Sequence, residues 1–171
     1  MERLETERLI LRPFAAEDAA DLYAYARDPE VGPAAGWPPH GSEAESLEII
    51  RTVFSAPHVF ALVLRETGHL IGSAGFVDGH RAELPGPDDE LGYWVGRPWW
   101  GRGLATEAAR ELLRYGFEDL GLRTVWCDHY EGNGSSRRVI EKCGFVYQFS
   151  AETDVVLLGE RRLTHFYALT R

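Results

Sequence analysis

Residues 90–117 place an apolar strand, a glycine-rich turn and a helix with one apolar face directly after one another, and this segment constrains the fold most. Residues 90–95 are rich in apolar and aromatic side chains, which is typical of a buried strand. After Gly101 and Gly103, apolar side chains recur at helical spacing. They are Leu104, Ala108, Leu112, Leu113 and Phe117. A strand that leads into such a helix predicts a sheet covered by helices, which is an α/β (α+β) fold.

The two glycines of this turn also predict a binding place for an anion. Gly101 and Gly103 let the backbone approach a ligand closely, and the free N–H groups and dipole of the following helix favour negative charge. A diphosphate fits such a site. The P-loop motif is missing and no GxGxxG precedes the helix, which disfavours enzymes that use nucleoside triphosphates. A tight turn without any ligand is the alternative for the glycine pair alone.

A second informative segment follows one strand later. Asn133 begins the run Asn-Gly-Ser-Ser, and residues 142–145 read Lys-Cys-Gly-Phe. Taken alone, Asn133 is explained as the cap of a short helix. Taken with residues 90–117, the order is a strand, an anion-binding helix, a strand, and then Asn-x-x-Ser on a short helix that ends in Gly-Phe. This order and spacing resemble the GNAT superfamily of acetyl-CoA-dependent N-acetyltransferases.

The resemblance extends over residues 4–149. The family motif is Gln/Arg-x-x-Gly-x-Gly/Ala; residues 101–105 match its end, and Trp100 stands where Gln or Arg is expected. Three stretches look like the subgroup that acetylates the N-terminal amines of ribosomal proteins. They are Leu-Glu-Thr-Glu-Arg-Leu with Leu-Arg-Pro within 4–13, Leu-Gly-Tyr-Trp at 91–94, and Trp-Gly-Arg-Gly at 100–103 followed by Ala-Thr-Glu-Ala at 105–108. That subgroup includes members with other acceptors, so the acceptor stays open.

The resemblance implies the architecture in more detail. It implies a mixed, mostly antiparallel sheet of six or seven strands, with a splayed parallel pair and helices on both faces. Residues 1–171 would form a single N-acetyltransferase domain, in agreement with the length of the chain. The splayed pair would be the strand ending at Val95 and the strand ending near Tyr130, with acetyl-pantetheine in the gap.

The cosubstrate that the resemblance implies is acetyl-CoA, and no metal is expected. Backbone groups of residues 94–96 would bind the pantetheine and polarise the thioester, residues 102–106 would hold the pyrophosphate, and Asn133 would bond the pantetheine arm. The implied cofactor-binding residues are Trp94, Val95, Gly96, Gly101, Arg102, Gly103, Leu104, Ala105, Thr106 and Asn133.

The acceptor must attack as a neutral amine, although a lysine-type amine has a pKa of about 10.4 and is protonated at neutral pH. Glu90, at the start of the strand that leads to Val95, is the candidate base, directly or through a water; a surface salt bridge is its alternative role. Ser136 matches the place where family members have a hydroxyl near the thioester sulfur, which makes it the candidate acid. A capping hydroxyl is the alternative for Ser136.

Trp37 and Tyr93 are the candidate residues for binding the acceptor, which is a protein N-terminus or a small-molecule amine. Direct transfer in a ternary complex is the expected mechanism. An acetyl-cysteine route through Cys127 or Cys143, and His129 as the base, are the disfavoured alternatives because buried cysteine and structural histidine are commoner. The competing function is a CoA-binding sensor or partner module without turnover.

Charge and composition exclude some classes of function. The net charge of −9 disfavours nucleic acid as a partner and favours amine-bearing ligands. Cys127 and Cys143 lack metal-ligand spacing, which predicts two reduced thiols. No apolar run approaches the roughly 20 residues of a membrane helix, and the first residues are charged, so a cytoplasmic protein without membrane contact is expected. A homodimer is compatible with the sequence.

Patterns along the rest of the chain predict the other elements. The predicted strands are 4–14, Val59–Leu64, Leu70–Val77, Thr124–Tyr130, 145–150 and 161–169. The predicted helices are 15–26, a helix capped by Ser42 with Leu47, Ile50 and Phe54 pointing inward, and 133–142. Residues 31–41 and 79–89 are predicted to be loops.

Overall fold

The computed structural model describes residues 2–77, 83–85 and 89–171, so most of the predicted loop 79–89 lies outside the described residues. The described strands form one eight-stranded sheet with the order β1-β2-β3-β4-β5-β6-β8-β7. The strands are β1 Leu4–Glu5, β2 Leu9–Arg12, β3 Val59–Leu64, β4 Leu70–Val77, β5 Asp89–Val95, β6 Thr124–Tyr130, β7 Val146–Val155 and β8 Glu160–Thr170. β5 and β6 are parallel, and the other neighbouring strands are antiparallel.

Helices cover both faces of the sheet, as predicted. They are α1 Ala19–Ala26, α2 Gly32–Ala35, α3 Glu43–Thr52, α4 Leu104–Arg114 and α5 Gly134–Lys142. Ser42 caps α3, because its hydroxyl accepts a hydrogen bond of 3.0 Å from the backbone N–H of Glu45. In the described part of the chain, no helix is both long enough and apolar enough to cross a membrane.

The predicted first strand, 4–14, is in fact two antiparallel strands, β1 and β2, and this raises the strand number to eight. Thr6 makes the turn between them. Its backbone N–H donates to the Leu9 carbonyl at 2.9 Å, and its hydroxyl accepts from the Leu9 N–H at 3.0 Å. The Thr6 hydroxyl thus closes a tight turn where the alternation of polar and apolar residues suggested a continuous strand.

Several other boundaries differ from the predictions. The helix predicted at 15–26 begins with a 3-10 turn, Ala16–Asp18, before α1. The predicted loop 31–41 contains α2, whose first turn holds a proline, a residue that is favoured there. β7 continues beyond residue 150 to Val155, because the long pairing with β8 stabilises polar residues that show no strand pattern alone. Thr153 and Thr164 are buried there and share a hydrogen bond of 2.7 Å.

Two of the apolar clusters define the two faces. The α4 face is the face covered by α4 and α5, where Leu112 and Ile140 pack on strand residues such as Val125. The α1 face is the opposite face, partly covered by α1 and α3, where Leu22 packs near Trp94. Side chains alternate between the faces along a strand.

The parallel pair is splayed apart. β5 and β6 pair only at Asp89 with Val125 and at Glu90 with Trp126. Beyond Glu90 the two strands diverge, which opens a gap between the carboxyl-terminal half of β5 and that of β6. The predicted fold class, with its splayed pair, is therefore confirmed.

Candidate active site

The backbone of β5 presents hydrogen-bonding groups to this gap. The N–H of Gly96 donates to the Ile71 carbonyl at 2.8 Å, and a Cβ added at Gly72 would clash with the Trp94 carbonyl oxygen. Both groups thus point toward β4. Because backbone groups alternate in an antiparallel ladder, those of Tyr93 and Val95 point the other way, toward β6.

Trp100 bonds the end of the β5 edge that faces the gap. Its indole N–H donates to the Val95 carbonyl at 2.7 Å, while the residue is 47% exposed. The residue that departs from the family motif thus holds the end of β5 at the mouth of the gap.

The amino terminus of α4 is open, as an anion site requires. Gly101 and Gly103 have φ angles of +72° and +76°, where side chains are strained. No heavy atom lies within 4 Å of a Cβ added at Gly101, and the nearest to one at Gly103 is Nη2 of Arg8, at 3.5 Å. Leu104 and Thr106 are buried under this turn, and Arg102 is exposed with its guanidinium 5.1 Å from the Trp99 ring centre.

Arg8 lies near this site and was not among the predicted site residues. Its guanidinium donates to the Arg102 carbonyl at 2.8 Å and to a Glu107 carboxylate oxygen at 2.9 Å. Thr6 donates to the other oxygen at 2.5 Å. Burial disfavours the charge on Glu107, but the hydrogen bonds from Thr6 and Arg8 outweigh it and lower the pKa of Glu107.

A cleft of about 610 Å³ adjoins the same helix end. Its lining includes Arg8, Gly103, Thr106, Arg110 and Lys142. Glu107 and Glu111 line it as well, so three cationic side chains and two carboxylates lie beside the amino terminus of α4.

On the α4 face, Ser136 and Tyr93 come together. The N–H of Ser136 donates to the Asn133 side-chain oxygen at 3.1 Å, so Asn133 caps α5. The hydroxyls of Tyr93 and Ser136 share a hydrogen bond of 2.8 Å. Burial raises the pKa of Tyr93 well above its usual value, so the phenol stays neutral and keeps its proton.

On the α1 face, Glu90 lies at the vertex of the gap. It is only 9% exposed and directly opposite Trp126. Asp128 follows Trp126 by two residues on β6, so the two carboxyl groups share one face. Glu90 and Ser136 thus lie on opposite faces of the gap.

The two predicted acceptor residues are not together. Trp37 contacts Trp94 edge to face at 5.4 Å and lies on the α1 face with Glu90. Tyr93 lies on the α4 face beside Ser136.

The disfavoured catalytic alternatives have structural roles. Cys127 and Cys143 are free, and burial raises the pKa of both thiols. Both ring nitrogens of His129 lie within hydrogen-bonding distance of a partner, the Tyr130 carbonyl at 2.9 Å and the Tyr167 hydroxyl at 3.2 Å. Within the described ranges, no group of three or more His, Cys, Asp or Glu could hold a metal ion.

Comparison with known families agrees with this geometry. Residues 8–146 match the acetyltransferase (GNAT) domain family. The match covers most of the chain, so the protein belongs to the GNAT family. It is an acetyl-CoA-dependent acetyltransferase, and the predicted resemblance is confirmed.

Similar proteins and similar solved structures agree with this family assignment. The uncharacterized N-acetyltransferase p20 of Bacillus licheniformis is 31% identical over 150 residues, 85% of this chain and 83% of that protein. The crystal structure of a GNAT-family acetyltransferase from Bacillus anthracis has a TM-score of 0.85 at 23% identity, covering 99% of this chain and 98% of that one. Ribosomal-protein-S5-alanine acetyltransferase from Vibrio fischeri has a TM-score of 0.74 at 17% identity, covering 99% and 97%. The two structures share the fold.

Proposed function

We propose that the protein transfers the acetyl group of acetyl-CoA to a primary amine by direct attack in a ternary complex. One observation carries the proposal: Glu90 and Ser136 lie on opposite faces of the gap between β5 and β6. A base on one face and a hydroxyl donor on the other fit an amine that attacks from the α1 face while the thiolate leaves on the α4 face.

The first part of the proposal concerns cosubstrate binding. Gly101, Gly103 and the first turn of α4 bind the diphosphate, with Arg8 beside them. The N–H of Val95 points into the gap and is the donor we assign to the thioester oxygen. Such a donor contributes roughly 3 kcal/mol at an oxyanion. The Gly96 N–H already donates to the Ile71 carbonyl within the sheet, so Gly96 contributes only to the shape of the β5 edge.

The second part concerns protons. Glu90 takes a proton from the acceptor amine, directly or through a water. We assign Tyr93 as the donor in the hydrogen bond to the Ser136 hydroxyl oxygen, which leaves the Ser136 O–H free to donate a hydrogen bond to the departing thiolate. Both hydroxyls keep their protons, and the released thiolate takes its proton from solvent. Cooperative polarisation along this pair strengthens Ser136 as a donor. Asn133 fixes the position of Ser136 through the cap of α5 and offers its side-chain N–H groups to the pantetheine arm.

Replacing Ser136 with alanine should lower kcat by about 10- to 100-fold with little change in CoA affinity, because the hydroxyl acts mainly in the transition state. Tyr93→Phe should lower kcat by a smaller factor of about 5, since it removes one hydrogen bond to Ser136, which is worth about 1 kcal/mol. Steady-state kinetics with saturating acetyl-CoA and calorimetric titration with CoA measure the two effects. Full activity of Ser136→Ala would reduce Ser136 to a structural residue of α5.

The acceptor that we propose is a protein N-terminus or a small-molecule amine. The carboxyl groups of Glu90 and Asp128 on the α1 face, together with the net charge of −9, favour a cationic ligand over a nucleic acid. Acetyl-CoA consumption measured against a mixed panel of amines and ribosomal-protein N-terminal peptides tests the function. Binding of CoA without turnover on any amine would favour the sensor module instead.

CoA and acetyl-CoA should raise the melting temperature, whereas NAD and ATP should not. A ligand at 100 times its Kd stabilises the native state by about 2.7 kcal/mol. For a chain of this size, this corresponds to a shift of roughly 5–10 °C. Differential scanning fluorimetry measures the shift, and equal shifts with ATP would contradict the cosubstrate assignment.

Two further proposals concern the cellular compartment and the oligomeric state of the protein. The free thiols Cys127 and Cys143 support a reducing compartment such as the cytoplasm. We leave the homodimer as a proposal that size-exclusion chromatography with light scattering would test.

A further inference from the structure

Residues 32–37, which we call the bridging segment, contact both strands of the splayed pair on the α1 face. At one end, Trp37 packs against Trp94 of β5 at 5.4 Å. At Gly36, an added Cβ would lie only 2.5 Å from the Tyr130 hydroxyl of β6. Because β5 and β6 pair only at Asp89 and Glu90, Trp94 and Tyr130 mark the open end of the gap. The bridging segment therefore spans this open end.

Arg162 of β8 holds the bridging segment in this place. Its guanidinium donates to the Pro33 carbonyl at 2.7 Å and lies 4.8 Å from the Tyr130 ring centre. It also donates to the Glu160 carboxylate at 2.8 Å, and its side chain is only 23% exposed. A partly buried, planar guanidinium that is fixed by three partners is a rigid anchor.

The position of this anchor restricts how an amine can approach. The bridging segment covers the open end of the gap on the α1 face, so its position limits the space through which an amine can reach Glu90 on that face. Glu90 lies at the vertex, Asp128 follows the partner of Glu90 by two residues along β6, and Trp37, Trp94 and Tyr130 lie at the open end. Aromatic faces and carboxylates together suit a cationic amine.

We propose that Arg162 is a positioning residue for the acceptor amine, acting through the bridging segment. This inference rests on the proposed acetyl transfer and assigns to Arg162 a role on the acceptor side alone. The contacts of Arg162 lie on the α1 face, whereas Gly103, Arg8 and Ser136 lie at the cosubstrate helix or on the α4 face.

The test compares Arg162→Ala and Arg162→Lys with Arg161→Ala as the matched control. Arg161 is the adjacent arginine, with a side chain that is 63% exposed and paired with Asp154 at 3.4 Å. In Arg162→Ala, KM for the amine should rise roughly 10-fold or more, because a displaced bridging segment no longer orients the amine. KM for acetyl-CoA should stay within about 2-fold of the wild type. Lysine keeps a cation near Tyr130 but cannot reach Pro33 and Glu160 together as the planar guanidinium does, so Arg162→Lys should have an amine KM between those of the wild type and Arg162→Ala. The amine is the best substrate of the panel described above.

Amide hydrogen exchange of residues 31–41 gives a readout that needs no turnover. Exchange should be roughly 5-fold faster or more in Arg162→Ala and unchanged in Arg161→Ala, since local opening follows the loss of anchoring contacts. An unchanged amine KM, an equal rise in both KM values, or unchanged exchange would each overturn the inference. A wild-type protein that acetylates no amine would refute the proposed function instead, and the exchange experiment would still decide whether Arg162 anchors the segment.

Discussion

Gly103→Asp is expected to weaken CoA binding on the order of 100-fold while leaving the fold intact. The new carboxylate lies at the amino terminus of α4, where the diphosphate must approach. At about 5 Å and an effective dielectric constant of about 20, two like charges repel by roughly 3 kcal/mol, which is about a factor of 100 in affinity. The side chain itself has room, because the nearest heavy atom to its Cβ position is Nη2 of Arg8 at 3.5 Å.

Two matched variants separate charge from backbone strain. Gly103→Asn has nearly the same shape and tolerates the left-handed φ of +76°, but it adds no charge, so it should weaken CoA binding much less. Gly121→Asp adds the same charge at another left-handed glycine, with φ +72° and no heavy atom within 4 Å of the added Cβ. This variant measures how much a substitution at a left-handed glycine destabilises the fold when it lies away from α4. Calorimetric titration with CoA and thermal melts measure both quantities. Unchanged affinity in a folded Gly103→Asp protein would rule out this helix end as the diphosphate site.

Strong local patterns predicted the central strands well. Val59–Leu64, Leu70–Val77 and Thr124–Tyr130 have the bounds that were predicted, and the first two are apolar runs separated by turn residues. The strand, glycine turn and helix of 89–114 were predictable for the same reason. In this part of the chain the local preference and the final packing agree.

Contacts between distant residues were not predictable from local patterns. Arg8 and Glu107 are 99 residues apart, and their ion pair depends on how the β1–β2 turn meets α4. The turn itself is made by the Thr6 hydroxyl, which alternation of polar and apolar residues does not reveal. The last five residues of β7 are likewise strand because β8 pairs with them.

The position of Tyr93, in contrast, could have been predicted from the sequence. Side chains alternate along β5, so Tyr93 lies on the face opposite to Glu90 and Trp94. The period of two therefore separates Tyr93 from the α1 face, where Trp37 lies. Its partner Ser136 is brought to it by α5, and that contact depends on the tertiary fold.

Glu90→Gln is expected to lower kcat/KM by about 100- to 1,000-fold at neutral pH, with a defect that shrinks as pH rises. Glutamine keeps the shape and removes the base, so the variant depends on the fraction of amine that is already neutral. Below the amine pKa, this fraction grows about tenfold per pH unit. The rise should end at about pH 8 for a protein N-terminal amine and continue to about pH 10 for a lysine-type amine, so the same profile also reports the acceptor class.

The neighbouring carboxyl group supplies the control for this prediction. Asp128 lies on the same face as Glu90, two residues beyond the partner of Glu90 on β6. Asp128→Asn removes one negative charge from that face without touching the assigned base, so its defect should appear in KM for the amine and should not be rescued at high pH. Rescue confined to Asp128→Asn would transfer the role of base to Asp128. A defect of Glu90→Gln that is the same at every pH would mean that Glu90 positions the amine without accepting its proton, since only the loss of a proton acceptor is compensated by a neutral nucleophile.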